Sequence, residues 1–135
     1  ELAPDALVDI ATLTGACGVA LGDYTAGLFA SDDGLAEALL AASRATGERV
    51  WRMPLDDELL RKKIQSPIAD LLNSGGRTGG AITAAMFLQE FVAKDVPWAH
   101  LDIAAVDFYK EPFGYYNKGA SGFGVRLLLD FVLSL

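Results

Sequence analysis

Trp98–Val106 reads WAHLDIAAV, an almost unbroken apolar run. Such a run predicts a strand deep in a sheet, covered on both faces. Two shorter runs, Ala6–Thr12 (ALVDIAT) and Thr25–Ser31 (TAGLFAS), predict further strands, the first of them also buried. Helical patterns fill the intervals. Ser31, Asp32 and Asp33 offer N-caps to a helix with Leu35, Leu39, Leu40 and Ala42 inward, and Gly47 suits its end. Arg49–Leu55 (RVWRMPL) reads as a short extended piece. Asp56 or Asp57 caps a helix to about Gln65, which Pro67 stops. Ile68–Asn73 (IADLLN) predicts a strand leading into the loop SGGRTGG. Ala81–Ala93, apolar nearly all round, predicts a well-buried helix. Asp107–Gly122 reads as a long loop and Val125–Leu135 as a closing apolar helix.

Strands alternating with helices predict an α/β fold with a mixed, mainly parallel sheet flanked by helices. No repeat, low-complexity tract or linker divides the chain, so residues 1–135 read as one unit. Both ends are apolar enough to need packing, which points to a piece of a larger domain.

The composition is 52% hydrophobic and the net charge is −7, which suits a globular protein and disfavours a phosphate-backbone partner. The one basic cluster, Arg61–Lys63, follows Asp56, Asp57 and Glu58 and reads as a solvated helix face. No nucleic-acid partner is expected. No apolar run is long enough to span a bilayer, and ELAPDALVDI lacks the pattern of a signal peptide, so no membrane association is expected. A single cysteine leaves no internal disulfide and fits a reducing cytoplasm.

The chemical motifs are incomplete. Gly75 and Gly80 stand at P-loop spacing, but Ala81 and Ile82 replace the lysine and hydroxyl that phosphates require. Gly119–Phe123 (GASGF) lacks the last glycine of a hydrolase elbow, so Ser121 reads as an N-cap of the last helix and not as a nucleophile. Cys17 reads as a small buried hydrophobe and His100 as a hydrogen-bonded structural residue. Asp32, Asp33, Asp56, Asp57 and Glu58 sit at helix starts, where free N–H groups account for them. Asp9 and Asp102 differ, because each lies inside an apolar strand (VDIAT, LDIAA) and needs partners. They could be metal ligands or hydrogen-bonded loop anchors; the anchor is the favoured reading.

Five segments occur in a telling order: Asp9–Ala16 (DIATLTGA), Gly47–Leu55 (GERVWRMPL), Ala81–Val92 (AITAAMFLQEFV), Trp98–Ala104 (WAHLDIA) and Lys118–Leu128 (KGASGFGVRLL). Together they resemble the C-terminal part of the catalytic domain of the leucyl aminopeptidases. The resemblance implies hydrolysis of N-terminal residues from peptides by two divalent cations, zinc or manganese, in a cytoplasmic homo-hexamer. The family's metal ligands and catalytic side chains lie mainly in a lysine-and-aspartate segment and an N-T-D-A-E-G-R segment, and neither string is present here. In the family both precede the Asp9–Ala16 segment, so this chain is expected to start just after them. No metal ligand or catalytic side chain carries over, and the chain alone is expected to be inactive.

A substrate-binding wall does carry over. The resemblance implies that the Thr12 and Leu13 carbonyls accept substrate N–H groups and that Gly15 lets the substrate approach closely. Thr12, Gly15 and Ala104 would line the pocket for the N-terminal side chain, and Asn73 would border the next subsite. Asp107 and Asn73 depart from the family pattern, so a leucine preference is not assumed. The alternative is a non-catalytic α/β binding or oligomerisation module.

Overall fold

The structure, a computed structural model, describes residues 3–135; the start at Glu1 lies outside the described residues. The order is β1 (Leu7–Ala11), α1 (Gly15–Leu21), β2 (Ala26–Ala30), α2 (Asp33–Thr46), β3 (Val50–Arg52), α3 (Glu58–Arg61), α4 (Gly80–Gln89), β4 (Trp98–Asp102), β5 (Phe108–Tyr109), β6 (Gly119–Ala120) and α5 (Val125–Leu133). Four strands form a sheet in the order β1-β4-β2-β3. The β1–β4 and β2–β3 pairs are parallel and β4–β2 is antiparallel, so the sheet is mixed and mainly parallel.

Alternation along the strands splits the core into two layers. Ala26, Leu28, Ala99 and Leu101 face α2 and α5, meeting Leu35, Leu39, Leu127 and Phe131. Phe29 and Trp98 face the other side and pack with Cys17, Leu55, Ile64, Ala85 and Met86. Every residue of β4 is buried, as its apolar run requires. Burying side chains the size of Leu28, Phe29 and Leu101 stabilises by about 1.5–3 kcal/mol each, so these two layers fix where the strand ends stand.

Local signals set the helix ends. Asp32 accepts from Leu35 N–H at 2.7 Å and starts α2. Gly47, at φ 73°, ends it in the left-handed region that glycine adopts without cost. Asp57 caps α3 through the N–H groups of Leu59 and Leu60, and a 3-10 turn carries the chain from Lys62 to Ile64.

Five expectations fail. The strand at Ala6–Thr12 is an edge strand, with Leu7 and Ile10 exposed, because β4 is its single neighbour. Ile68–Asn73 is not a strand: its apolar residues find no pairing partner, and Ile68 and Leu72 are exposed. The helix expected over Ala81–Ala93 stops at Gln89, so that Phe91 beyond its end is exposed, although every residue of α4 itself is buried or half-buried. The loop after β4 contains the β5–β6 hairpin. Ser121 does not cap α5; the chain turns through Gly122 and Gly124 before the helix begins, and a Cβ on Gly124 would stand 2.5 Å from Ile10 Cδ1. The N–H of Leu127 instead donates to Glu48 Oε2 at 2.8 Å, so a distant carboxylate caps α5. The basic cluster is also tied down. Arg61 pairs with Glu90 and donates to Gln89 at 2.6 Å, and Lys63 Nζ donates to the Thr78 carbonyl at 2.9 Å.

Candidate functional site

β1 and β4 run parallel, so their C-terminal ends lie side by side, with Ala11 opposite Asp102. Asp102 is 1% exposed, and its environment supplies donors. Oδ1 accepts from the N–H groups of Leu13 (3.1 Å), Thr14 (3.2 Å) and Ala104 (3.2 Å), and Oδ2 accepts from the Thr14 hydroxyl (2.7 Å). Thr14 Oγ1 in turn accepts from Cys17 N–H at 3.1 Å and starts α1. One carboxylate thus locks the exit of β1, the start of α1 and the turn after β4. Asp102 is an anchor, and four hydrogen bonds occupy it. The N–H groups of Leu13 and Thr14 are used up, while among the described residues no backbone donor reaches the Thr12 or Leu13 carbonyl.

A second segment closes the site. Residues 73–77 lie against the first turn of α4, where a Cβ on Gly75 would stand 2.8 Å from the Cβ of buried Thr83. A Cβ on Gly80 would stand 3.3 Å from that of Ala16, which brings the starts of α1 and α4 together. Between them lies a cleft of about 290 Å³ lined by Leu13, Thr14, Asn73, Arg77 and Thr83 among others.

The structure therefore brings Leu13 and Asn73 to one cleft. Thr12 and Gly15 are exposed on the same turn, and half-buried Ala104 is joined to it through Asp102. A Cβ on Gly15 would meet nothing within 4 Å, so the fold does not require glycine there. Asp107 is half-buried at the end of the turn after β4, and its N–H donates to the Ile103 carbonyl at 3.1 Å.

Asp9 and His100 form a separate group. Asp9 accepts from Trp98 Nε1 at 2.6 Å and lies 2.5 Å from His100 Nδ1. Asp9 is an anchor too, and His100 is fully buried beside it. Cys17 does not meet His100; its thiol points to the Asp102 carbonyl at 3.7 Å. Burial, and then the Asp102 charge, push the Cys17 thiol up to about 11, which leaves it inert. Sequence reasoning missed Arg77 and Thr83. The signal for Thr83 was Gly75, a residue with no side chain where the loop meets a helix.

The sequence profile described as the cytosol aminopeptidase family, catalytic domain, matches residues 1–129. The chain belongs to the cytosol aminopeptidase family. It is 58% identical to a probable cytosol aminopeptidase of Aquifex aeolicus over 135 residues, which are 100% of this chain and 27% of that protein. The chain thus spans about a quarter of the length of the curated relatives it matches. Among solved structures, a tomato leucine aminopeptidase variant superposes with a TM-score of 0.90 at 43% identity, covering 97% of this chain and 25% of its own. A bottromycin maturation enzyme in complex with Mn superposes at 0.92 and 46% identity, covering 96% of this chain and 29% of its own. This aminopeptidase segment has the α/β architecture of those enzymes.

Proposed function

We propose that this chain supplies the wall of an aminopeptidase active site that grips the substrate, while other parts of the intact enzyme cut. The observation that carries the reading is the use of Asp102. It consumes the N–H groups of Leu13 and Thr14 and fixes the turn, while the Thr12 and Leu13 carbonyls keep no backbone partner among the described residues. A peptide is the ligand with N–H groups at the right spacing to use them. In this reading the Thr12 and Leu13 carbonyls accept from the substrate backbone. Thr12, Gly15 and Ala104 line the pocket for the N-terminal side chain, and Asn73 borders the next subsite. Holding the peptide on a rigid turn supplies orientation, which lowers the barrier without side-chain chemistry at the turn.

In this reading two divalent cations, zinc or manganese, supply the water-activating chemistry in the intact enzyme, and one solved relative is described in complex with Mn. The described residues of this chain do not fit such a site: no three of their His, Cys, Asp and Glu side chains are placed to share a metal ion, and Asp102 is occupied by its donors. In this reading the chain's own contribution is binding, and the isolated chain is expected to be inactive. The free edge of β1 is where the rest of the catalytic domain would continue the sheet. A cytoplasmic location follows the family's name, and no helix among the described residues is long and apolar enough to cross a membrane.

Gly15→Ala in the intact enzyme tests the reading, because the fold has room for the methyl group. The expected outcome is an unfolding free energy within about 0.5 kcal/mol of the parent's and a fall in kcat/KM of about tenfold or more on aminoacyl p-nitroanilides. Unchanged kinetics would remove the turn from the substrate's path.

A second reading, an oligomerisation module, has its own support. Val125, Leu129, Val132 and Leu133 are all exposed on α5, at spacings that make one outward stripe. The two readings are compatible in a homo-hexamer, where α5 would pack on another copy.

A further inference from the structure

The loop SGGRTGG is the one glycine-rich motif that the phosphate reading fails and the wall described above does not use. Its cation stands in a telling place. Arg77 lines the 290 Å³ cleft beside Leu13, Thr14 and Asn73, and it also lines the neighbouring groove of about 490 Å³ formed by Ala16, Val19, Met53 and Ile82. Among the described residues it is the only charged one lining either cavity. That is notable in a chain of net charge −7. Among the described residues no carboxylate lies within ion-pair distance of Arg77, as is true also of Arg44 and Arg49, neither of which lines these cavities, whereas Arg52, Arg61 and Arg126 are each paired. The loop is held on both sides of the arginine. Gly75 abuts Thr83, Lys63 donates to the Thr78 carbonyl, and Gly80 N–H donates to the Arg77 carbonyl at 3.3 Å. An arginine on a braced loop, lining a cleft with no acidic group among its described lining residues, suits a carboxylate better than any other group a peptide carries.

We infer that Arg77 is a specificity-determining residue that receives a carboxylate from the part of the peptide beyond the first residue. The inference rests on the aminopeptidase reading and deepens it. The cleft is at the small end of the range for small-molecule sites, about 300–1,000 Å³, so the carboxylate belongs to a group close behind the scissile bond. Two sources fit: the C-terminal carboxylate of a dipeptide, or an acidic side chain at the second position. The enzyme then favours short or acidic substrates, although the net charge of −7 on this chain works against them.

The test uses the intact enzyme and compares ratios, so that any loss of folded protein cancels. With X the N-terminal residue turned over fastest as a p-nitroanilide, kcat/KM is measured for X-Gly against X-Gly amide and for X-Glu amide against X-Gln amide. The parent is expected to favour the carboxylate member of at least one pair by about tenfold. Arg77→Met should bring that ratio to near one, mainly through KM, and Arg77→Lys should keep part of it. A ratio that moves only in the first pair identifies the dipeptide terminus, and one that moves only in the second identifies the side chain. No preference in the parent, or a preference that survives in Arg77→Met, overturns the inference and leaves the aminopeptidase reading standing. No turnover of any of these substrates overturns both.

Discussion

Asp102 and Glu48 are each 1% exposed, and each accepts from backbone far away in sequence, Asp102 from two distant N–H groups and Glu48 from one, but they are satisfied in opposite ways. Glu48 faces a cation. Arg126 Nη2 lies 3.3 Å from its Oε1, donates to the Tyr116 hydroxyl, and stacks 4.5 Å from the Tyr115 ring centroid. Asp102 has no cation among its described partners; three N–H groups and one hydroxyl do the work. A salt bridge tolerates small movements, because a guanidinium can follow its partner. Four converging donors do not, since each belongs to backbone or to a residue one bond from it. The Glu48 arrangement fastens α5 to the end of α2, away from the cleft. The Asp102 arrangement fixes the turn at the cleft to within hydrogen-bond tolerance, which is what a binding site made of backbone needs.

The largest effect that tests this division is Asp102→Ala. Three N–H groups lose their acceptor at once, and each buried orphan costs about 1–3 kcal/mol. A loss of about 3–5 kcal/mol in urea unfolding of the intact enzyme is expected. Asp102→Asn keeps the shape and one acceptor oxygen, so it should fold and raise KM. If Asp102→Asn leaves KM alone, the turn is not held for binding.

Glu48→Gln is the matching change on the other side. Gln can still accept from Leu127 N–H but gives up the charged partner of Arg126, so a loss of about 1–3 kcal/mol in stability is expected. KM should stay within about twofold. A KM effect equal to that of Asp102→Asn would show that the two carboxylates do not divide the work in this way.

How far the sequence foretold this contrast differs between the two. A carboxylate inside LDIAA needs donors, and an anchor at the end of an apolar strand is legible for that reason alone. Which donors it finds depends on β1 lying beside β4, a pairing about 90 residues apart that no local pattern encodes. Glu48 was invisible as a buried group, because it follows a helix-ending glycine where charged residues are ordinary and its partner lies 78 residues on. The strands with continuous apolar runs were legible because burial on both faces dictates composition. Ile68–Asn73 misled because apolar residues alone do not provide a pairing edge, and the apolar run after Ala81 misled only about where its helix ends.

The smallest effect probes the charge of Asp102 directly. Cys17 is the only cysteine, and its thiol is raised to about 11 first by burial and second by the Asp102 carboxylate. A raised value means the native thiol stays protonated where an unfolded thiol ionises, so alkylation of the native protein near pH 9 should be slow and should climb about tenfold per pH unit. Asp102→Asn removes the second cause and leaves the first. The thiol should move down yet remain above its ordinary value of 9.0, and native-state alkylation should quicken. Glu48→Gln should not move it. If Asp102→Asn leaves the alkylation profile where it was, the donors around Asp102 already cancel its field at Cys17. The contrast with Glu48 would then be one of geometry alone, with both charges equally well compensated.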